Sequence, residues 1–585
     1  MDQKRLVLAV ALSLAIWLGF QLLVAPHLPK PPAPQNAPVA ALTQPGTATT
    51  GGTAAATPAE APAASAVPAN APRLPIDAKR LHGSISLLGA RLDDIVLNDY
   101  RETIDPGSPQ VRLLEPRSDS QPYYVQYGWT APAGTTVKVP TDDTVWTASA
   151  PSLTTGGTVT LSWDNGEGLT FLITLAVDDD YMFSVRQSVK NATGQPVALL
   201  PWSRVRRDYT PTTLGYSVLH EGMLGVLDGT LKEETYSGAK SDGEKKGGIA
   251  FRTESTGGWA GFTDKYWLTA IIPSQNAGVN ASFRHIAFKG QPNPDRYQVD
   301  LITKEAITAA PGGQSDFDGH LFVGAKVSRI LDRYETDLNV PHLDKAVDFG
   351  RLYLITRPMY IALNFIYGLV GNFGVAIMIF TVIVKALFFP LADYSYRSMS
   401  KMKLLAPKMQ ELKERYKDDP AKMQQETMAL YKAEKVNPAS GCLPILVQIP
   451  VFFSLYKCIL INIDMRQAPF FGWIHDLSQV DPTNVFNLFG LIPFDPGVLS
   501  PYLHLGFWPL VMGVTMFLQQ KLNPPPPDPV QAKMFQFMPI MFTFMMAGFP
   551  AGLIIYWTWN NTLSMGQQWL MMRRTRLSRP SLART

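Results

Sequence analysis

Five long apolar runs crowd the C-terminal part of the chain, at 374–390, 443–461, 503–520, 535–549 and 553–572, and a sixth occupies 6–24. Runs of this length fit the hydrocarbon of a bilayer. There each backbone N–H and C=O must be satisfied within its own segment, so an open chain can cross only as helices. Charged residues make up 17% of the 585, against about 25% in ordinary soluble chains, as expected if much of the surface never meets water. The 52 basic and 48 acidic residues nearly cancel, too balanced for a dedicated nucleic-acid binder. Lys4 and Arg5 precede the first run and favour a cytoplasmic N-terminus. Pro26-His27-Leu28-Pro29-Lys30 offers no small-residue cleavage site, so 1–25 reads as a retained anchor rather than a signal peptide.

Between the anchor and the other runs lie two different kinds of sequence. The Ala/Pro/Thr-rich stretch 26–75 cannot bury enough apolar surface to fold and reads as a disordered tether. From 76 to 325 the pattern is strands and turns. Two β-rich segments flank Asp164-Asn165-Gly166-Glu167-Gly168, a hairpin signature, and Tyr181, Phe183 and Val185 alternate with polar neighbours. The spacing predicts a large β-sandwich, closed by a helix over 327–338.

Charge placement sets the expected topology. The segment 391–442 carries Arg397, Lys401, Lys408, Arg415, Lys417, Lys422 and Lys432 among its cations, and positive loops stay in the cytoplasm. If 352–370 also crossed, that segment would fall outside. Arg357, Pro358 and Asn364 interrupt this run as well, so 326–373 reads as a linker helix followed by an amphipathic helix on the outer surface. With six spans the 76–325 domain and the loop 462–502 lie outside. The 391–442 hairpin, the proline-rich loop 521–534 and the basic tail 573–585 lie inside, as do both termini.

Lys385 is the sharpest single feature. It stands about 16 Å along the helix from Gly374, where a cation costs at least ~2.5 kcal/mol on insertion scales. No Asp or Glu lies in the other apolar runs to neutralise it. Either its stem snorkels to the cytoplasmic headgroups, or it is the fixed charge of a hydrated cavity opening to the cytoplasm. Gln448, Thr515, Gln519, Thr543, Thr558, Asn560, Asn561 and Thr562 also fall in the runs. Each alone fits interhelical hydrogen bonding, at about 0.6 kcal/mol; together they suit a wet lining. In 391–442, Asp419-Pro420 begins a second helix and Asn437-Pro438 ends it. Met399, Met402, Met409, Met423 and Met428 mark apolar faces, either packing one helix on the other or gripping varied apolar partners. Nothing points to catalysis or to a cofactor. His220-Glu221 is followed by Leu224 where a zincin would need histidine, Cys442 and Cys458 form no metal or redox motif, and no nucleotide-binding loop appears.

Several stretches resemble the YidC family of membrane protein insertases: 428–438, Gly441-Cys442-Leu443-Pro444, Gln448-Ile449-Pro450, Arg466-Gln467-Ala468-Pro469-Phe470, Trp473-Ile474-His475-Asp476-Leu477 and Phe549-Pro550-Ala551-Gly552-Leu553. The resemblance implies a helical membrane bundle of six transmembrane helices, five of them forming the core around a hydrophilic groove, with a large periplasmic β-supersandwich of the sugar-mutarotase type. It places Lys385 where the family usually has arginine. Thr381, Gln448 and Tyr556 match groove and client-contact positions, and Tyr556-Trp557 match a pair of aromatics. It also implies a bacterial inner-membrane insertase and chaperone without enzymatic chemistry, with nascent membrane proteins, the Sec translocon, the ribosome and membrane lipids as partners. A solute transporter, or an assembly factor acting only through its outer domain, are the rival readings.

Overall fold

The computed structural model describes residues 71–214, 218–288, 293–417, 419–434, 443–492, 504–522 and 529–577. The expected anchor, nearly all of the tether, Asn437-Pro438, Cys442, the prolines at 524–527, and Arg579 and Arg584 lie outside these residues.

The N-terminal part is a β-sandwich. Among the described residues one sheet has 11 strands and the other nine. Strand Met182–Asn191 pairs antiparallel with both Leu169–Val177 and Gln314–Ala325 in the smaller sheet. In the larger, Val197–Arg207 lies between Tyr123–Thr130 and Asp295–Thr303. The expected hairpin turn is built by Asn165, whose Oδ1 accepts the Glu167 and Leu169 N–H groups at 2.8 and 3.0 Å, while Gly166 and Gly168 take positive φ. Trp129, Phe171, Phe183, Trp259 and Phe322 fill the space between the sheets. Trp129 meets Phe171 edge-on across the sandwich at 5.1 Å.

Of the buried cations in this part of the chain, Arg207 and Lys326 are held in opposite ways. Arg207 forms a bidentate pair with Asp264 at 2.8 and 2.9 Å and donates to the Tyr236 hydroxyl at 2.6 Å. Burial would raise the Asp264 carboxyl, yet the guanidinium holds it below the usual carboxylate range. Lys326, fully enclosed, donates to Thr263 Oγ1 at 2.9 Å. Burial pushes its ammonium down to about 8 against the pull of Asp348, Asp264 and Glu221. An unfolded lysine keeps its proton to about pH 10.4. Between about pH 8 and 10 the unfolded chain therefore binds more protons at this site than the folded one, and the site's contribution to stability rises with pH. Below pH 8 the full desolvation cost is present. Lys326→Met is expected to raise the unfolding midpoint of the full chain at neutral pH and to flatten its rise toward pH 9.5, as read by thermal scans across that range. An unaltered pH slope would refute this account.

Among the described residues the α-helices are α1 (Tyr236–Lys245), α2 (Ser328–Asp337), α3 (Tyr353–Val370), α4 (Phe373–Leu387), α5 (Phe389–Arg415), α6 (Pro420–Ala433), α7 (Leu443–Ile461), α8 (Phe507–Leu522), α9 (Pro529–Met546) and α10 (Ala551–Leu577). Helix α3 ends on Gly371 at φ +70°, and Asn372 at once caps α4 by accepting the Val375 N–H at 3.1 Å. The α4–α5 pair bends by 63° at Phe388, where Pro390 in the first turn of α5 removes a ladder donor. Asp419 caps α6 through the Lys422 N–H at 3.1 Å, with Pro420 at its start. Among the described residues no single helix is long and apolar enough to cross a membrane, whereas Phe373–Leu387 and Phe389–Met402 together have the length and composition of a broken span or a re-entrant loop. Helix α4 has 15 residues, Pro450 and Pro539 sit inside α7 and α9, and polar groups are spread along α10.

The β domain and the helices are clamped together. Lys457 on α7 donates to Asp348 at 2.7 Å and to the Val218 carbonyl, while the His220 N–H also binds Asp348 at 2.9 Å. Gln467 donates to the Arg101 carbonyl at 3.0 Å, and the Arg466 guanidinium lies 5.5 Å from the Trp267 ring.

Candidate functional site

Thr381 and Lys385 stand one turn apart on α4, and Tyr556, Asn560, Ser564 and Gln567 recur along one face of α10. These two stripes face each other. The Lys385 ammonium donates to Ser564 Oγ at 2.8 Å, and that hydroxyl donates to the Asn560 carbonyl at 2.8 Å. Gln567 Nε2 reaches the Lys385 carbonyl at 3.5 Å. From α7, Gln448 donates to the Tyr556 hydroxyl. Thr381 is buried and bonds back to the Ile377 carbonyl at 2.6 Å.

A slot of about 10 Å³ lies among Thr381, Lys385, Gln448, Tyr556 and Asn560. That is room for about one water molecule. Asn560, which also lines it, carries a buried Oδ1 with no protein partner among the described residues. No carboxylate among the described residues pairs with Lys385. The arrangement is a polar, cationic seam between three helices, far narrower than the open inlet expected from sequence. The ammonium is turned onto α10.

The structure thus brings Lys385, Thr381, Gln448 and Tyr556 together. Trp557 does not line the slot; its ring packs against Phe452 at 4.7 Å and Phe542 at 5.9 Å. Asn561 donates to Thr515 Oγ1 at 3.2 Å, an interhelical bond, whereas Thr543 and Thr562 bond their own helix carbonyls at 2.8 Å. In the hairpin Met399, Met402, Met409 and Met423 are half-buried, while Met428 is 50% exposed. Two residues escaped sequence reasoning. Ser564 holds the Lys385 ammonium, and its signal was available, since it continues the stripe set by Tyr556 and Asn560 at spacings of four. Lys457 resembles a cation at the end of an apolar run until its partner, Asp348, is found 109 positions away.

The YidC periplasmic domain family matches residues 73–362, and the 60Kd inner membrane protein family matches 365–578. The membrane protein insertase YidC of Granulibacter bethesdensis is 60% identical over 100% of both chains. The chain belongs to the YidC family of membrane protein insertases. Its relative in Acidiphilium cryptum, of the same name, is 54% identical over 86% of this chain and 85% of its own. A solved YidC insertase with its first transmembrane domain resolved is 17% identical across 84% of this chain and 90% of that one, at a TM-score of 0.35. YidC proteins are inner-membrane insertases with a periplasmic domain, and the names of these relatives denote insertion rather than catalysis.

Proposed function

We propose that this chain inserts nascent membrane proteins by receiving their polar flanks in the Lys385 seam and releasing their apolar segments sideways into lipid. The observation that carries the reading is a cation held by Ser564 among helices, next to a polar slot and without a counter-ion among the described residues. A client's polar flank must cross hydrocarbon while its apolar segment comes to rest there. A fixed positive charge with hydroxyl and amide neighbours lowers the crossing cost of the flank, most of all for an acidic one. The apolar segment gains about 0.8 kcal/mol per buried CH₂ as it enters lipid, so a whole helix gains enough that no nucleotide is required. In this reading the seam widens when a client enters, because the slot in its resting form admits no peptide.

The same reading takes α4, α7, α8, α9 and α10 with the N-terminal anchor as six spans, α3 as an interfacial helix, and α5–α6 as a cytoplasmic hairpin. Both termini are cytoplasmic and the β-supersandwich is periplasmic. Support comes from exposed apolar side chains on the helices, such as Leu387, Leu446, Val514 and Ile540, and from the lysines of the hairpin. The ribosome and the Sec translocon are partners by family likeness, and the exposed Met428 suits transient contact with clients.

Photocrosslinking tests the route. A photoreactive residue at Val384 or Asn560 is expected to capture a stalled nascent membrane protein, and one at the buried Ile377 to capture none. Capture from the β domain alone, with nothing from Val384 or Asn560, would overturn the seam as the route.

A further inference from the structure

A second cavity, of about 1190 Å³, lies well away from the Lys385 seam, where the outer part of α7 meets the β domain. Glu221 and Glu233 line it from the β domain, Lys345, Arg351 and Leu352 from the linker ahead of α3, and Phe453 from α7. The Lys457–Asp348 pair, also at its wall, neutralises itself at 2.7 Å. Two cations and two carboxylates remain. Among the described residues Lys345, Arg351 and Glu233 form no ion pair or side-chain hydrogen bond, and Glu221 accepts only the Leu214 N–H at 2.8 Å. Charges of opposite sign thus share one cavity without pairing, the acids on the domain wall and the cations on the linker wall.

The floor is apolar and continues outward. Phe453 is 48% exposed, Leu352 38% and the adjoining Leu354 87%. Lys457 stands four residues from the end of α7, about 6 Å along its axis. On the topology proposed above, on which this inference rests, the cavity therefore opens at the level of the outer headgroups.

We propose that this cavity holds a phosphatidylethanolamine-type lipid of the outer leaflet, its phosphate between Lys345 and Arg351 and its ammonium toward Glu221 and Glu233. The phosphodiester takes a forked guanidinium contact from Arg351. The primary ammonium supplies N–H donors to Glu233, which has none among the described residues, and to Glu221, which has only the Leu214 N–H, and the acyl chains leave along Leu352 and Phe453. A glycerol headgroup brings no positive charge to the two carboxylates, and a trimethylammonium headgroup has no N–H to donate. The lipid would fill the joint between domain and bundle, tying the β domain to the membrane surface.

The test is native mass spectrometry of the full-length protein, released from an equal mixture of phosphatidylethanolamine, phosphatidylcholine and phosphatidylglycerol. Phosphatidylethanolamine is expected to be retained about tenfold over the other two, a difference of about 1.4 kcal/mol. Lys345→Glu with Arg351→Glu should abolish that preference. Glu221→Gln with Glu233→Gln should turn it toward phosphatidylglycerol, a gain that misfolding does not produce. Equal retention of the three lipids, or an unchanged preference in both variants, would overturn the proposal. Selectivity is read in detergent and does not depend on orientation. If an external membrane-impermeant maleimide failed to label Lys345→Cys in spheroplasts, the topology itself would fall, and the outer-leaflet assignment with it.

Discussion

Lys385→Glu is expected to abolish insertion of clients whose translocated flank is acidic, while Lys385→Arg retains it. The effect is electrostatic. In a partly dehydrated site of effective dielectric about 20, two unit charges 4 Å apart interact by about 4 kcal/mol. Reversing the charge turns that attraction into a repulsion of similar size, so the crossing of an acidic flank should slow by at least about a hundredfold. Ser564 can turn its one O–H from the Asn560 carbonyl to a glutamate, so the variant has a hydrogen-bond partner at hand and the loss reports charge rather than collapse. Arginine keeps the charge and reaches at least as far. Clients with neutral flanks should lose much less than acidic ones in Lys385→Glu. Insertion into proteoliposomes, scored by protease protection of the translocated flank, measures all of these. Insertion of every client by Lys385→Ala at the wild-type rate would remove the charge from the mechanism.

What could be read from the chain, and what could not, follows from how far apart the interacting groups lie. Local chemistry was legible. Asp164–Gly168 encodes its own turn through Asn165, Asp419-Pro420 starts its helix, and the strand alternation around Phe183 puts that ring in the core. The insertase family was legible too, because its motifs are short and contiguous. Pairings between distant segments were not. Lys385 lies 179 residues from Ser564, and Lys457 lies 109 from Asp348, so no local pattern joins either pair. The bend at Phe388 was hidden for another reason. Pro390 reads as the end of a span, whereas in the structure it lies in the first turn of the next helix, and the chain bends without a loop. Trp557 lies beside a slot residue in sequence yet packs elsewhere, since the neighbour of a slot residue on a helix points about 100° away from it.

Lys457 carries the second large effect, and it acts on assembly rather than on clients. Its side chain is 8% exposed and that of Asp348 is 19%, so the pair is largely removed from water. Asp348→Ala leaves the ammonium with the Val218 carbonyl alone, and Lys457→Ala leaves the carboxylate with the His220 and Gly350 N–H groups. Breaking one side of such a pair costs about 3–5 kcal/mol, because an uncompensated charge stays behind; replacing both sides by apolar residues of similar volume is close to neutral. Each single variant should therefore loosen the joint between the β domain and α7 and expose the linker near Arg351 to trypsin. Lys457→Met combined with Asp348→Leu should restore most of the protection. Trypsin sensitivity and the unfolding midpoint of the full chain, compared across the four proteins, decide the matter. If the double replacement is as damaged as the sum of the single ones, the two residues act separately and the joint is held by its apolar contacts and by the Arg466 loop.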